Sequence, residues 1–323
     1  MRDLAGHRAA PLHHALCVVI LALLAGCGGG AAHPNTPPPP KYSVERPGEW
    51  PAAIRLPLRR HEKHLYIRAS VNGEDAGWFL FDTGAAMNVI SPGLANRLEL
   101  PKVGSGTARG IAGREDFDFR QPDQLTIGPV ALEPERMAGV GISRMSRNLG
   151  LTVNGIIGFH ALRNVPFTVD YQASQLILHN PDTFRPEDDA EKFTLRIAGR
   201  LPVVEATLGG TRKVWLLIDT GADNELTLPR DMAERWPDIL AVPQTGSGSA
   251  SGVGGSIGQL QTWTKSLHLF GIELSGIPTH FEGNPGSPAV ISTGRLGDSL
   301  LQHFRLTFDA RNRAIWAQWR PEG

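Results

Sequence analysis

The chain is one unit written twice, and no other feature constrains its fold as much. Residues 65–73 and 202–210 are both strand-like stretches that end at a glycine turn. Nine residues past each final glycine stands an aspartate, Asp82 or Asp219. The approaches, Trp78-Phe79-Leu80-Phe81 and Trp215-Leu216-Leu217-Ile218, read as buried strands. Both aspartates continue as Asp-Thr-Gly-Ala. The parallel persists downstream. Residues 104–113 match 246–255, Gly155-Ile156-Ile157-Gly158 matches Gly294-Arg295-Leu296-Gly297, and Phe167-Thr168-Val169-Asp170 matches Leu306-Thr307-Phe308-Asp309. The offset drifts from 137 to 142 to 139, as loop-length changes within a duplicated unit would produce.

A chain of 323 residues has room for one large domain or two modest ones, and the duplication selects two. Each copy reads as short strands with one or two short helices, opening at Pro92 and Pro229, a residue suited to a first helical turn. The expected fold is all-β, with two pseudo-symmetric barrel-like lobes. The expected division is an export signal over 1–26, a tether over 27–50, lobes over 51–179 and 193–323, and a polar linker over 180–192. Thirty-two basic and thirty-two acidic side chains balance, which argues against a generally basic nucleic-acid binder. Cys17 and Cys27 are the only cysteines, so the body holds neither a disulfide framework nor a cysteine-ligated zinc.

The N-terminus reads as an address. Residues 15–24 form an apolar run too short to span a bilayer but suited to the core of an export signal. It ends in Leu24-Ala25-Gly26-Cys27, which resembles the lipobox of bacterial lipoproteins. That resemblance implies cleavage before Cys27, acylation of its thiol and a lipid anchor in the cell envelope, with the body facing the periplasm. Gly28 after the cysteine favours the outer membrane. Gly28-Gly29-Gly30 and Pro37-Pro38-Pro39-Pro40 then make a spacer with an r.m.s. reach of roughly 25 Å.

The duplicated Asp-Thr-Gly after an apolar strand resembles the aspartic peptidases, specifically the retropepsin-like group. Phe81-Asp82-Thr83-Gly84-Ala85 and Ile218-Asp219-Thr220-Gly221-Ala222-Asp223 match that family's active-site motif, and Ile156-Ile157-Gly158 and Leu296-Gly297 match its later apolar-glycine element. The resemblance covers about residues 64–320. It implies that Asp82 and Asp219 meet between the lobes, share a proton and activate water against a peptide bond, with no cofactor. Two carboxyls that close cannot both ionise easily, so their pKa values separate; the aspartic-protease pair is the standard illustration of this principle. It also implies that Thr83 and Thr220 bond across the lobe interface, while Gly84 and Gly221 leave room for the carboxyls.

The resemblance further places substrate-covering flaps at Gly110-Ile111 and Gly252-Val253, and a backbone-anchoring carboxylate at Asp223, where the first copy has Ala86. Alanines at 85 and 222 cannot donate to the carboxyls, which points to activity at mildly acidic to neutral pH. The partners implied are a peptide or protein substrate and a membrane, with one chain sufficient for one site. A non-catalytic peptide-binding lipoprotein on the same fold is the alternative. Arg295 departs from the pattern: an apolar residue is expected there, so it either points out of the lobe or loosens it. His61-Glu62-Lys63-His64 is one residue short of a zinc-binding His-Glu-x-x-His and reads as a solvated turn.

Overall fold

The first hairpin shows how the sequence becomes structure. Strands His64–Val71 and Glu74–Asp82 pair antiparallel around Asn72-Gly73, two residues with positive φ (49° and 80°), as a tight right-twisted hairpin turn requires. The matched hairpin, Leu201–Leu208 with Arg212–Ile218, turns through Gly209 and Gly210, again with positive φ. This computed structural model describes residues 2–3, 15–16, 42–110, 113–241, 246–252, 255–282 and 294–320. Cys27 and nearly all of the expected signal and spacer lie outside the described residues, as do Ile111 and Val253.

In each lobe, the strand that leads to the aspartate is flanked by a later strand running parallel to it. Val153–Gly158 pairs with Glu74–Asp82 so that Gly158 lies opposite Asp82, and Arg295–Leu296 pairs with Arg212–Ile218. Each lobe also carries a long glycine-bearing hairpin: Lys102–Gly110 with Gly113–Arg120, and Gly246–Gly252 with Gly255–Leu269. The helices are short, Pro92–Arg97 and Arg230–Arg235 among them. The fold is all-β and two-lobed.

Six strands knit the lobes together, in the order Ala53–Pro57, Gln175–His179, Phe167–Asp170, Phe304–Asp309, Ala314–Trp319, Glu191–Ala198. Its centre is the last repeated element paired with its own copy: Phe167 opposite Phe308, Thr168 opposite Thr307. Phe167 and Phe308 stack at 4.8 Å, and Phe159 and Phe81 meet Phe167 edge-on. This aromatic cluster lies under Phe81, the residue before Asp82, and stiffens the floor from which the aspartate projects.

Part of the expected spacer belongs to the body. Residues 42–43 run parallel to Val130–Ala131, and Val44 and Trp50 are buried. Trp50 Nε1 donates to the Ser43 carbonyl, and the Asn180 side chain donates to the Trp50 carbonyl. An indole left in water next to an apolar groove would forfeit its burial free energy, so this stretch docks. The expected linker is pinned at both ends as well: Asn180 is buried, and Glu191 already belongs to a strand. His61 and His64 close a hairpin through Glu62 (φ 53°) and Lys63, but His64 is buried rather than solvated, and burial lowers its pKa to about 4.

Candidate active site

Asp82 closes one strand and Asp219 directly follows the equivalent one, 137 residues on, and the interlobe packing brings their side chains together. Both are fully buried. Each carboxylate accepts a hydrogen bond from the glycine two residues on: Gly84 N–H to Asp82 Oδ1 at 2.7 Å and Gly221 N–H to Asp219 Oδ1 at 3.0 Å. A Cβ added at Gly84 would lie 2.4 Å from Asp219 Oδ1, and one at Gly221 would lie 2.4 Å from Asp82 Cγ. Each glycine therefore makes room for the opposite lobe's carboxyl. The requirement is one of space, since neither glycine has a left-handed φ.

The threonines between lock the loops reciprocally. Thr83 N–H donates to Thr220 Oγ1 at 3.0 Å, and Thr220 N–H donates to Thr83 Oγ1 at 3.1 Å. Thr83 Oγ1 donates to the Ile218 carbonyl at 2.7 Å, and Thr220 Oγ1 to the Phe81 carbonyl at 2.8 Å. Four buried hydrogen bonds related by a pseudo-twofold axis fix the separation of the two aspartates, and each would leave an unsatisfied group if broken.

Burial pushes the Asp82 carboxyl well above the ordinary carboxylate range. The neighbouring charge and side-chain hydrogen bond of Asp219 add to this, and the Gly84 N–H opposes it. The later glycines support the same loops: a Cβ at Gly158 would meet the Ala85 carbonyl at 2.6 Å, and one at Gly297 the Asn224 carbonyl at 2.3 Å.

The N-terminal half of this arrangement lies within a stretch that has a counterpart among known families. Residues 67–161 match the family model described as aspartyl protease. The matched stretch holds Asp82-Thr83-Gly84, the first glycine-bearing hairpin and Ile156-Ile157-Gly158, so it spans most of the N-terminal lobe's share of the site. A comparison with curated proteins gave no match.

The remaining expected residues are placed as follows. Gly110 and Gly252 end the outgoing strands of the two glycine-bearing hairpins, opposite Gly113 and Gly255. Asp223 is half-buried, and its carbonyl accepts from Ser299 Oγ at 2.6 Å and from Lys63 Nζ at 3.2 Å. Ala86, its counterpart, is buried with Leu201, Val203 and Leu217. Arg295 follows neither expected course. It does not point out of the lobe, and it is not left loose: its side chain is 8 % exposed and ion-paired to Glu282 at 2.5 Å, with Nε 3.8 Å from Asp219 Oδ2.

Two further residues were not anticipated. Asp298 is buried and accepts a 2.5 Å hydrogen bond from the Tyr171 hydroxyl, reaching from the other half of the chain. Burial foremost, with the charge of Asp219, holds the Asp298 carboxyl well above its usual range, against the Tyr171 hydrogen bond. The signal was present as breaks in the repeat: Asp298 follows Gly297 where Phe159 follows Gly158, and Tyr171 follows Asp170 where Ala310 follows Asp309.

Proposed function

We propose that this protein is an aspartic endopeptidase anchored to the bacterial cell envelope through Cys27. The observation that carries the reading is the buried carboxyl pair, joined by reciprocal Thr83–Thr220 hydrogen bonds at equivalent ends of two lobes. Two carboxyls sharing one proton supply both a base and an acid without a further group. The ionised carboxyl takes a proton from water as the water oxygen bonds to the scissile carbonyl carbon. The protonated carboxyl gives its proton to the carbonyl oxygen. Collapse of the tetrahedral species breaks the C–N bond, with the proton passing to the leaving amine. In the isolated pair the roles of Asp82 and Asp219 are exchangeable, and apparent pKa values belong to the pair.

The glycine-bearing hairpins, whose outgoing strands end at Gly110 and Gly252, would cover a bound peptide, with Ile111 and Val253 among the residues that touch it, and Asp223 would receive substrate backbone on one side only. The lipid anchor rests on Leu24-Ala25-Gly26-Cys27 and the apolar run before it.

Digestion of a peptide library by wild type, Asp82→Asn and Asp219→Asn tests the chemistry. Both variants should lose cleavage while keeping their thermal transitions, and wild-type rates in both would overturn the reading. For the anchor, Cys27→Ser should release the protein from the membrane fraction.

A further inference from the structure

The two lobes present the same strand positions toward the aspartates, and the register shows which residues correspond. In the N-terminal lobe Ile156 pairs with Val89, and Val89 with Ala138. In the C-terminal lobe Arg295 pairs with Thr227, and Thr227 with His280. Directly paired residues project from the same sheet face. That face in the N-terminal lobe is apolar, with Val89, Ala138, Val140 and Ile156 in one buried cluster. Its C-terminal counterpart carries a threonine, a histidine and an arginine, with Glu282 two residues beyond His280.

Arg295 sits one strand over from Leu217, close to the end of the strand that delivers Asp219. Its Nε lies 3.8 Å from Asp219 Oδ2, and its Nη2 is held by Glu282. At the matched position beside Asp82 stands Ile156, which brings no charge. A guanidinium stays charged throughout the working range of an aspartate pair. We infer that Arg295 breaks the symmetry of the pair, holding Asp219 as the carboxylate that takes the water proton and leaving the shared proton on Asp82. The inference rests on the peptidase reading and makes Arg295 a positioning residue acting through Asp219.

The other charged groups around the site do not supply this bias. Asp298, itself driven toward its neutral form and bonded to Tyr171, raises a neighbouring carboxyl whenever it is charged, so it works against an ionised Asp219 and is not the source of the bias. Arg60 acts on Asp298, and Lys63 acts on His280 and holds the Asp223 carbonyl. His280, whose pKa burial lowers to about 4, is neutral at mildly acidic to neutral pH and adds no charge there. Glu282 opposes Arg295 and tempers it. Burial and the charge of Asp219 raise the Asp82 carboxyl, as a proton resting there requires.

The test is the pH dependence of kcat/KM, together with carboxyl-carbon NMR titration of aspartate-labelled protein, assigned with Asp82→Asn and Asp219→Asn. An opposite charge at this range lowers a carboxyl pKa by about 1–3 units. Arg295→Leu, a side chain close to that of Ile156, should therefore raise the lower pKa of the pair and the acid limb by about that much. Arg295→Lys should stay near wild type, and Glu282→Gln should move the limb the opposite way. A purely structural role would change rates without moving the limb. If Arg295→Leu fails to fold, Glu282→Gln still decides: an unmoved limb and titration in that variant overturn the inference. Loss of cleavage in both Asn variants with superimposable profiles in the Arg295 variants sinks this inference alone. Wild-type cleavage in both Asn variants sinks the peptidase reading, while the NMR titration still reports whether Arg295 biases Asp219.

Discussion

Thr83 and Thr220 each donate a backbone N–H to the other's hydroxyl, at 3.0 and 3.1 Å, across 137 residues of chain. Each hydroxyl then donates to the backbone of the partner strand, at Ile218 or Phe81. The lobes are thus bolted together one residue from each aspartate. Removing one hydroxyl orphans a buried N–H and a buried carbonyl, at about 1–3 kcal/mol each. Thr83→Ala should destabilise the protein by about 2–6 kcal/mol in urea denaturation, while Thr83→Ser should stay close to wild type. A wild-type midpoint for the alanine variant would show that the lobes are held by other contacts.

Gly84 and Gly221 leave room for the carboxyls of the opposite lobe. In Gly84→Ala the new methyl would sit 2.4 Å from Asp219 Oδ1, so the pair must move apart. Displacement of about 1 Å in a catalytic group costs about a hundredfold in rate. The kcat/KM of Gly84→Ala should drop by about that factor or more, and unchanged kinetics would mean that the carboxyls need not be this close.

Acid titration should separate two opposed contributions. Burial lowers His179 to about 4, while the unfolded value is about 6.5. Between these values the unfolded chain binds more protons, so this contribution to stability falls as pH drops through that window. Asp298 has the opposite sign: its folded pKa is raised, so the folded chain binds the extra proton and stability gains as pH falls. Thermal melts from pH 6.5 to 4.5 should show a shallower Tm loss for His179→Gln and a steeper one for Asp298→Asn. Parallel Tm curves for all three proteins would contradict the burial-driven shifts.

Trp50 is 5 % exposed and ties residues 42–50 to the N-terminal lobe. Trp50→Ala should cost about 3–5 kcal/mol, the range for a buried aromatic. A chain beginning at residue 51 should melt below one beginning at residue 42. Equal Tm values would return this stretch to the spacer.

Much of this was legible because duplication repeats a signal. Either Asp-Thr-Gly alone would be a common turn, but two at matched distances after apolar strands predicted a two-lobed all-β fold. The matched elements Phe167-Thr168-Val169-Asp170 and Leu306-Thr307-Phe308-Asp309 were legible as copies, yet not as partners. Their antiparallel pairing at the centre of the interlobe sheet comes from the twofold arrangement of the lobes. The docking of Tyr42 and Trp50 was hidden because a few apolar residues after a proline run show no periodicity.

The sequence by itself determined the repeat, the strands that carry the aspartates and the glycines that follow them, because local apolar patterning and turn chemistry are written residue by residue. What Arg295 does was decided only by tertiary structure. In the linear pattern it was a polar intrusion in a buried strand, with two bland explanations. Strand pairing placed it between Glu282 and Asp219. Whether a buried charge disrupts or directs depends on which charges surround it, and those come from segments far away in the chain.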